Sequence, residues 1–123
     1  MKIAVDGKGT REGHKRDQII RMMMFLQDRG WEVVVWSNSY SFAVDAVKGL
    51  KETPLEGIEP EGKLAKFETS HRYDVAIEDD RTQEDLAANN LIWVDEIPGE
   101  TPIGFLQDKL KEWYPEPEGD DAA

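Results

Sequence analysis

Three short stretches of this chain carry residues that could do chemistry. Near the start, the apolar run Ile3-Ala4-Val5 stops at Asp6 and gives way to Gly7-Lys8-Gly9-Thr10. Ser37-Asn38 follows the β-branched and aromatic run WEVVVW, and Asp79-Asp80 follows the apolar run that begins at Tyr73. Glycines flanking Lys8 let the backbone approach a ligand and turn its amides toward an anion, and Thr10 adds a hydroxyl donor. An acid beside such a turn suits a metal-bound phosphate, with Asp6 as ligand or nucleophile. A plain turn cap uses the same residues.

The surrounding pattern supplies elements to position them. Residues 3–5, 31–36 and 73–77 read as strands buried on both faces, and 91–94 as a fourth strand. Residues 11–30 predict a first helix ended by Gly30, with Met22-Met23-Met24 as gap-filling core. Ser39 or Ser41 caps a second helix that runs to Leu50. Residues 52–62 read as a solvated connection hiding a short strand around 55–58, and 63–71 as a helical turn or two. A short helix over 84–90 and a closing helix over 101–114, with Pro102 in its first turn, complete the domain. Residues 115–123 read as a frayed acidic tail. Alternation of strand and helix predicts an α/β fold: a three-layer Rossmann-like parallel sheet with helices on both faces. All strands then point their carboxyl ends at one edge, which brings Asp6, Ser37 and Asp79-Asp80 together, where open α/β sheets bind ligands.

The chain has 123 residues, enough for one domain over residues 1–114 and too few for a separate substrate domain. It has no cysteine and two histidines, so thiolate chemistry is excluded and any metal takes oxygen or His ligands. Its net charge of −11 opposes non-specific binding to nucleic acid or anionic membranes. The sequence shows neither a signal-peptide apolar region nor a long apolar span, so a cytoplasmic location is the expectation.

The order of these stretches resembles the haloacid dehalogenase-like (HAD) phosphohydrolases. That family carries Asp-x-Asp-Gly-Thr after its first strand, Ser or Thr after the second, a lysine further on, and an acid pair after a later strand. Asp6-Gly-Lys8-Gly-Thr10, Ser37, Lys66 or Lys63, and Asp79-Asp80 stand in that order over residues 2–95. The resemblance implies a capless HAD-like domain in which Asp6 is the nucleophile. It implies a Mg2+ site made by Asp6, the Lys8 carbonyl, Asp79 and Asp80. Ser37 would donate to the phosphoryl group and Lys66 would offset its charge, while Thr10, Asn38 and Arg11 would border the substrate. A large phosphorylated substrate or a homodimer closing the site is also implied.

Lys8 departs from the family, whose second motif acid protonates the leaving group and activates water. A charged lysine has no acceptor and cannot take water's proton. Three readings stay open: Lys8 pairs with Asp6 in a site that has lost catalysis, it binds substrate phosphate in a slow phosphohydrolase, or the motif match is accidental. Lys8, Arg11, Lys15 and Arg16 predict a local basic rim, and His14 is an exposed candidate acid/base. The alternative function is a non-catalytic acidic protein, an inhibitor or nucleic-acid mimic acting on a basic partner. Trp31, Trp36, Trp93 and Trp113 are expected to pack at core or rim.

Overall fold

The computed structural model of the chain describes residues 1–11, 13–55, 57–62, 72–83 and 85–115, without the Arg11 side chain. The described strands are β1 (Lys2–Asp6), β2 (Glu32–Trp36), β3 (Glu59–Glu61), β4 (Tyr73–Glu78) and β5 (Ala88–Trp93). They form one parallel sheet in the order β3-β2-β1-β4-β5. Near-continuous apolar runs make the central strands because both of their faces are buried. Val33, Val34 and Val35 and the β4 run Val75-Ala76-Ile77 are each 5% exposed or less.

After β1 the chain builds β2 and β3 to one side, and β4 and β5 then stand on the other. The order therefore reverses between β1 and β4, which opens a crevice beyond their carboxyl ends.

The helices are α1 (Gly7–Arg11), α2 (Arg16–Asp28), α3 (Tyr40–Lys48) and α4 (Pro102–Trp113), with a 3-10 turn over Val94–Glu96. Ile19, Met22, Met23 and Leu26 of α2, Ala46 of α3 and Leu106 of α4 all bury into one core against Ile3, Val5, Val35, Val75 and Ile77. The other face carries a smaller cluster of Ala4, Val34, Trp36, Tyr73 and Ala76 under Leu86 and Ala87. The described helices in the main core therefore share one face of the sheet. The tryptophans pack as expected, Trp36 fully buried and Trp31 and Trp113 against the main core.

Several expectations change. The helix expected over residues 11–30 is α2 and starts only at Arg16: Asp6 leads straight into α1, which occupies the glycine stretch, and the chain turns at His14-Lys15 before α2. Arg16 braces the junction by donating from Nε to the Thr10 carbonyl at 2.8 Å and from Nη2 to Gly49 at 3.4 Å. Gly30 does end α2, at φ +84° where a side chain is strained, and Trp31 N–H donates back to Leu26. The short strand lies at Glu59–Glu61 rather than 55–58, paired with Val34 to Trp36.

No helix forms over 84–90 among the described residues. Tyr73 N–H donates to the Ala87 carbonyl at 2.9 Å and Arg72 Nη2 to the Ala88 carbonyl at 2.8 Å, so pairing with β4 draws the residues from Ala88 onward into β5. Tertiary pairing overrides their modest helix propensity. The strand expected at 91–94 accordingly starts at Ala88, while α4 keeps Pro102 in its first turn. Residues 63–71, with Lys63 and Lys66, lie outside the described residues, as do 116–123.

Candidate functional site

The reversal between β1 and β4 fixes which side chains meet. Val5 pairs with Ile77, so the next residues, Asp6 and Glu78, end their strands side by side. Side chains alternate along a strand, so both carboxyls project on the face of Ala4 and Ala76, whose methyls leave room beside them. Asp6 is 6% exposed and Glu78 is fully buried. Asp79 follows on the loop, and one carboxylate oxygen from each of Asp6, Glu78 and Asp79 lies within 4.8 Å of the others.

The loop is folded around its own acids. Glu78 Oε1 accepts the backbone amides of Asp79 and Asp80, each at 3.2 Å. Asp80 turns the other way: its Oδ1 accepts from Thr82 N–H at 3.0 Å and from the Thr82 hydroxyl at 2.6 Å, and its Oδ2 accepts from Gln83 at 3.3 Å. Asp80 still lines the cavity, yet its oxygens serve the loop.

The cavity, about 400 Å³, is lined by Asp6, Lys8, Ser37, Asn38, Glu78, Asp79, Asp80 and Gln83. A second hollow of about 490 Å³ shares Asp6, Lys8, Ser37 and Asn38 and extends along α3 past Ser39, Ser41, Phe42 and Asp45. Ser39 caps α3 by accepting from Phe42 N–H at 3.4 Å, which leaves Ser37 outside the helix. Ser37 Oγ accepts from Ser39 N–H at 3.2 Å, so its own proton can point into the cavity. The structure thus brings Asp6, Lys8, Ser37, Asn38, Asp79 and Asp80 together.

Other expected members do different work. The Thr10 hydroxyl is 1% exposed with its residue and donates to the Gly7 carbonyl at 2.9 Å, which spends the expected substrate donor inside α1. The Lys8 carbonyl accepts from Gly13 N–H at 3.2 Å. Gly7 and Gly9 lie within α1 instead of an open loop. A Cβ at Gly7 would come 3.2 Å from Phe42 and one at Gly9 3.0 Å from Ile19, so these glycines admit neighbouring helices. Of the expected basic rim Lys8 lines the cavity, Arg16 is turned to helix ends and Lys15 does not line it, while the Arg11 side chain lies outside what the structure describes; His14 does not line it either. Lys8 Nζ stands 4.0 Å from Asp79 Oδ2 with its side chain 64% exposed, a loose pair with the loop acid.

Glu78 is the acid that sequence reasoning passed over. Its signal was the strand end itself: Ile3-Ala4-Val5-Asp6 and Val75-Ala76-Ile77-Glu78 are both apolar triplets closed by an acid.

The described cavity lining holds four acids against one lysine, so the site is electronegative and suits a cation. Two buried carboxyls and one on a loop supply hard oxygens that could hold a metal ion. No helix among the described residues is long and apolar enough to cross a membrane. No protein-family model, curated protein or solved structure matches this chain.

Proposed function

We propose that the chain is a Mg2+-assisted phosphohydrolase of the haloacid dehalogenase-like type, slow because Lys8 stands where the general acid/base would be. The observation that carries the reading is the convergence of Asp6, Glu78 and Asp79 beside Ser37 and Lys8 at the crevice between β1 and β4. Asp6, Glu78 and Asp79 would hold the ion, which supplies charge neutralisation for the carboxylates and the phosphoryl oxygens.

In the first step an Asp6 carboxylate oxygen attacks phosphorus, the P–O bond to the alcohol breaks, and the alkoxide takes a proton from water. The Ser37 hydroxyl donates to a phosphoryl oxygen, and the Lys8 ammonium lies near enough to offset its charge. Water then attacks phosphorus, the P–O bond to Asp6 breaks to restore its carboxylate, and the water's proton passes to the phosphate that is released. Lys8 has no lone pair to receive water's proton, and a missing general base costs about two to four orders of magnitude in rate. The Lys8–Asp79 ion pair also favours a second reading, in which the same site binds a phosphate or partner without turning it over.

Hydrolysis of a generic phosphate monoester with and without Mg2+, by wild type, Asp6→Asn and Lys8→Asp, separates the two. Turnover that needs both the metal and Asp6 supports the enzyme. A silent wild type with an active Lys8→Asp supports the binding reading, and silence of all three overturns the phosphohydrolase.

A further inference from the structure

Two of the three clustered acids end strands and are fixed by the sheet, but Asp79 stands on a loop. Something has to hold that loop still if Asp79 is to serve as a ligand. From inside, Glu78 Oε1 accepts the Asp79 and Asp80 amides, and a cation bound to Glu78 would draw on the same carboxylate. From outside, the hold is Arg81. Its Nε donates to Asp95 Oδ2 at 3.1 Å and its Nη2 to Asp95 Oδ1 at 2.6 Å, a bidentate fork, and Nη2 also donates to Glu96 Oε1 at 3.2 Å. Its guanidinium carbon sits 5.0 Å from the centre of the Trp93 ring. Trp93 ends β5, and the 3-10 turn carrying Asp95 and Glu96 is anchored by Val94 in the main core.

We infer that Arg81 is a positioning residue: it ties the Asp79 loop to the end of β5 and so sets the affinity of the carboxylate site for a divalent cation. This rests on the metal-site reading above. Arg81 does not line the cavity, so it acts through Asp79 and not on a ligand. The fork is specific to arginine, because a lysine ammonium is a point charge that cannot hold both Asp95 oxygens in one plane. Its ion pairs are solvent-exposed, with the Arg81 side chain 53% accessible, so removing them barely changes global stability while freeing the loop.

The test measures Mg2+ binding by calorimetry for wild type, Arg81→Ala, Arg81→Lys, Asp95→Asn and Asp6→Asn, together with thermal midpoints and amide exchange of residues 79–83 in metal-free protein. The expected result is Mg2+ binding roughly tenfold weaker in Arg81→Ala, as for other groups that orient metal ligands. Exchange over 79–83 should be faster and the thermal midpoint nearly constant. Arg81→Lys should not rescue, and Asp95→Asn should weaken binding in the same direction. Unchanged affinity and exchange in Arg81→Ala, with binding lost in Asp6→Asn, would overturn the positioning role alone. Rescue by Arg81→Lys, with midpoint and affinity falling together in Arg81→Ala, would make Arg81 a structural charge and overturn it too. If wild type binds no Mg2+, the metal-site reading fails and the site-affinity part of the inference with it; the exchange data then decide separately whether Arg81 orders the loop.

Discussion

At the carboxyl ends of β1 and β4, four acids crowd a hollow of about 400 Å³, whereas at the amino ends of the same sheet a hollow of about 470 Å³ is walled by Phe25, Trp31, Leu110 and Tyr114. The cations of the apolar hollow, Arg29 and Lys111, lie at the ends of α2 and α4, where they complement the helix dipoles. Polar groups around that end are tied: Tyr114 donates to the Asp74 carbonyl at 2.9 Å, Asn90 donates to the Tyr114 oxygen at 3.0 Å, and Asp74 Oδ2 accepts from Lys2 N–H at 2.8 Å. The carboxyl end instead sets two buried carboxyls side by side. One end of the sheet is built to hold the fold, and the other gathers oxygens of the kind a cation takes.

That contrast is open to test by substitution. Leu26→Ala, in the fully buried seam beneath the amino end, should lower unfolding free energy by about 3 kcal/mol in denaturant titrations and leave Mg2+ binding intact. At the other end Glu78→Gln keeps an oxygen for the two loop amides and replaces one of two adjacent buried carboxyls with a neutral amide. It should raise metal-free stability by about 1 kcal/mol and weaken Mg2+ binding, the trade expected where function strains the fold. A loss of stability in Glu78→Gln would show that the two ends do not differ in this way. Tyr114→Phe should cost somewhat under about 1 kcal/mol, with no change in metal affinity, because it deletes a hydrogen bond remote from the acids.

An effect confined to alkaline pH concerns Tyr73, whose ring meets Trp36 edge-on with centroids 5.2 Å apart. Burial, then the charges of Glu61 and Glu32 and a bond to Glu61, push its phenol from the ordinary 10.0 up to about 12. The unfolded chain therefore ionises first as pH rises. The Tyr73 contribution is complete below about pH 10 and lost between about pH 10 and 12, and Tyr73→Phe should flatten that part of an alkaline unfolding curve. Asp95 behaves in the opposite sense. The bond from Arg81 holds its carboxyl below the ordinary range, so the Arg81 fork persists at neutral pH and loosens only as pH falls beneath that range.

The parallel sheet was legible because buried strands write themselves as continuous β-branched runs, and Val33-Val34-Val35 could hardly be read otherwise. The approach of Asp6, Ser37 and Asp79 followed from one rule about strand direction. Helix boundaries were less legible. Nothing local says that Gly7 and Gly9 lie inside a helix, since their role is the room they give Phe42 and Ile19, residues distant in the chain. The stretch at 84–90 read as helix because its propensity is helical, and only the edge of β4 draws its last residues, from Ala88, into a strand.

Sequence alone therefore determined the central strands β1, β2 and β4, their common direction and the edge at which the acids gather, because these depend on local hydrophobic pattern and on handedness. Tertiary structure alone decided which acids face one another. It placed Glu78 beside Asp6 through the register of β1 with β4, turned Asp80 to Thr82 and Gln83, and set Lys8 against Asp79. Register and side-chain direction are properties of paired strands and folded loops, and a single segment of chain does not contain them.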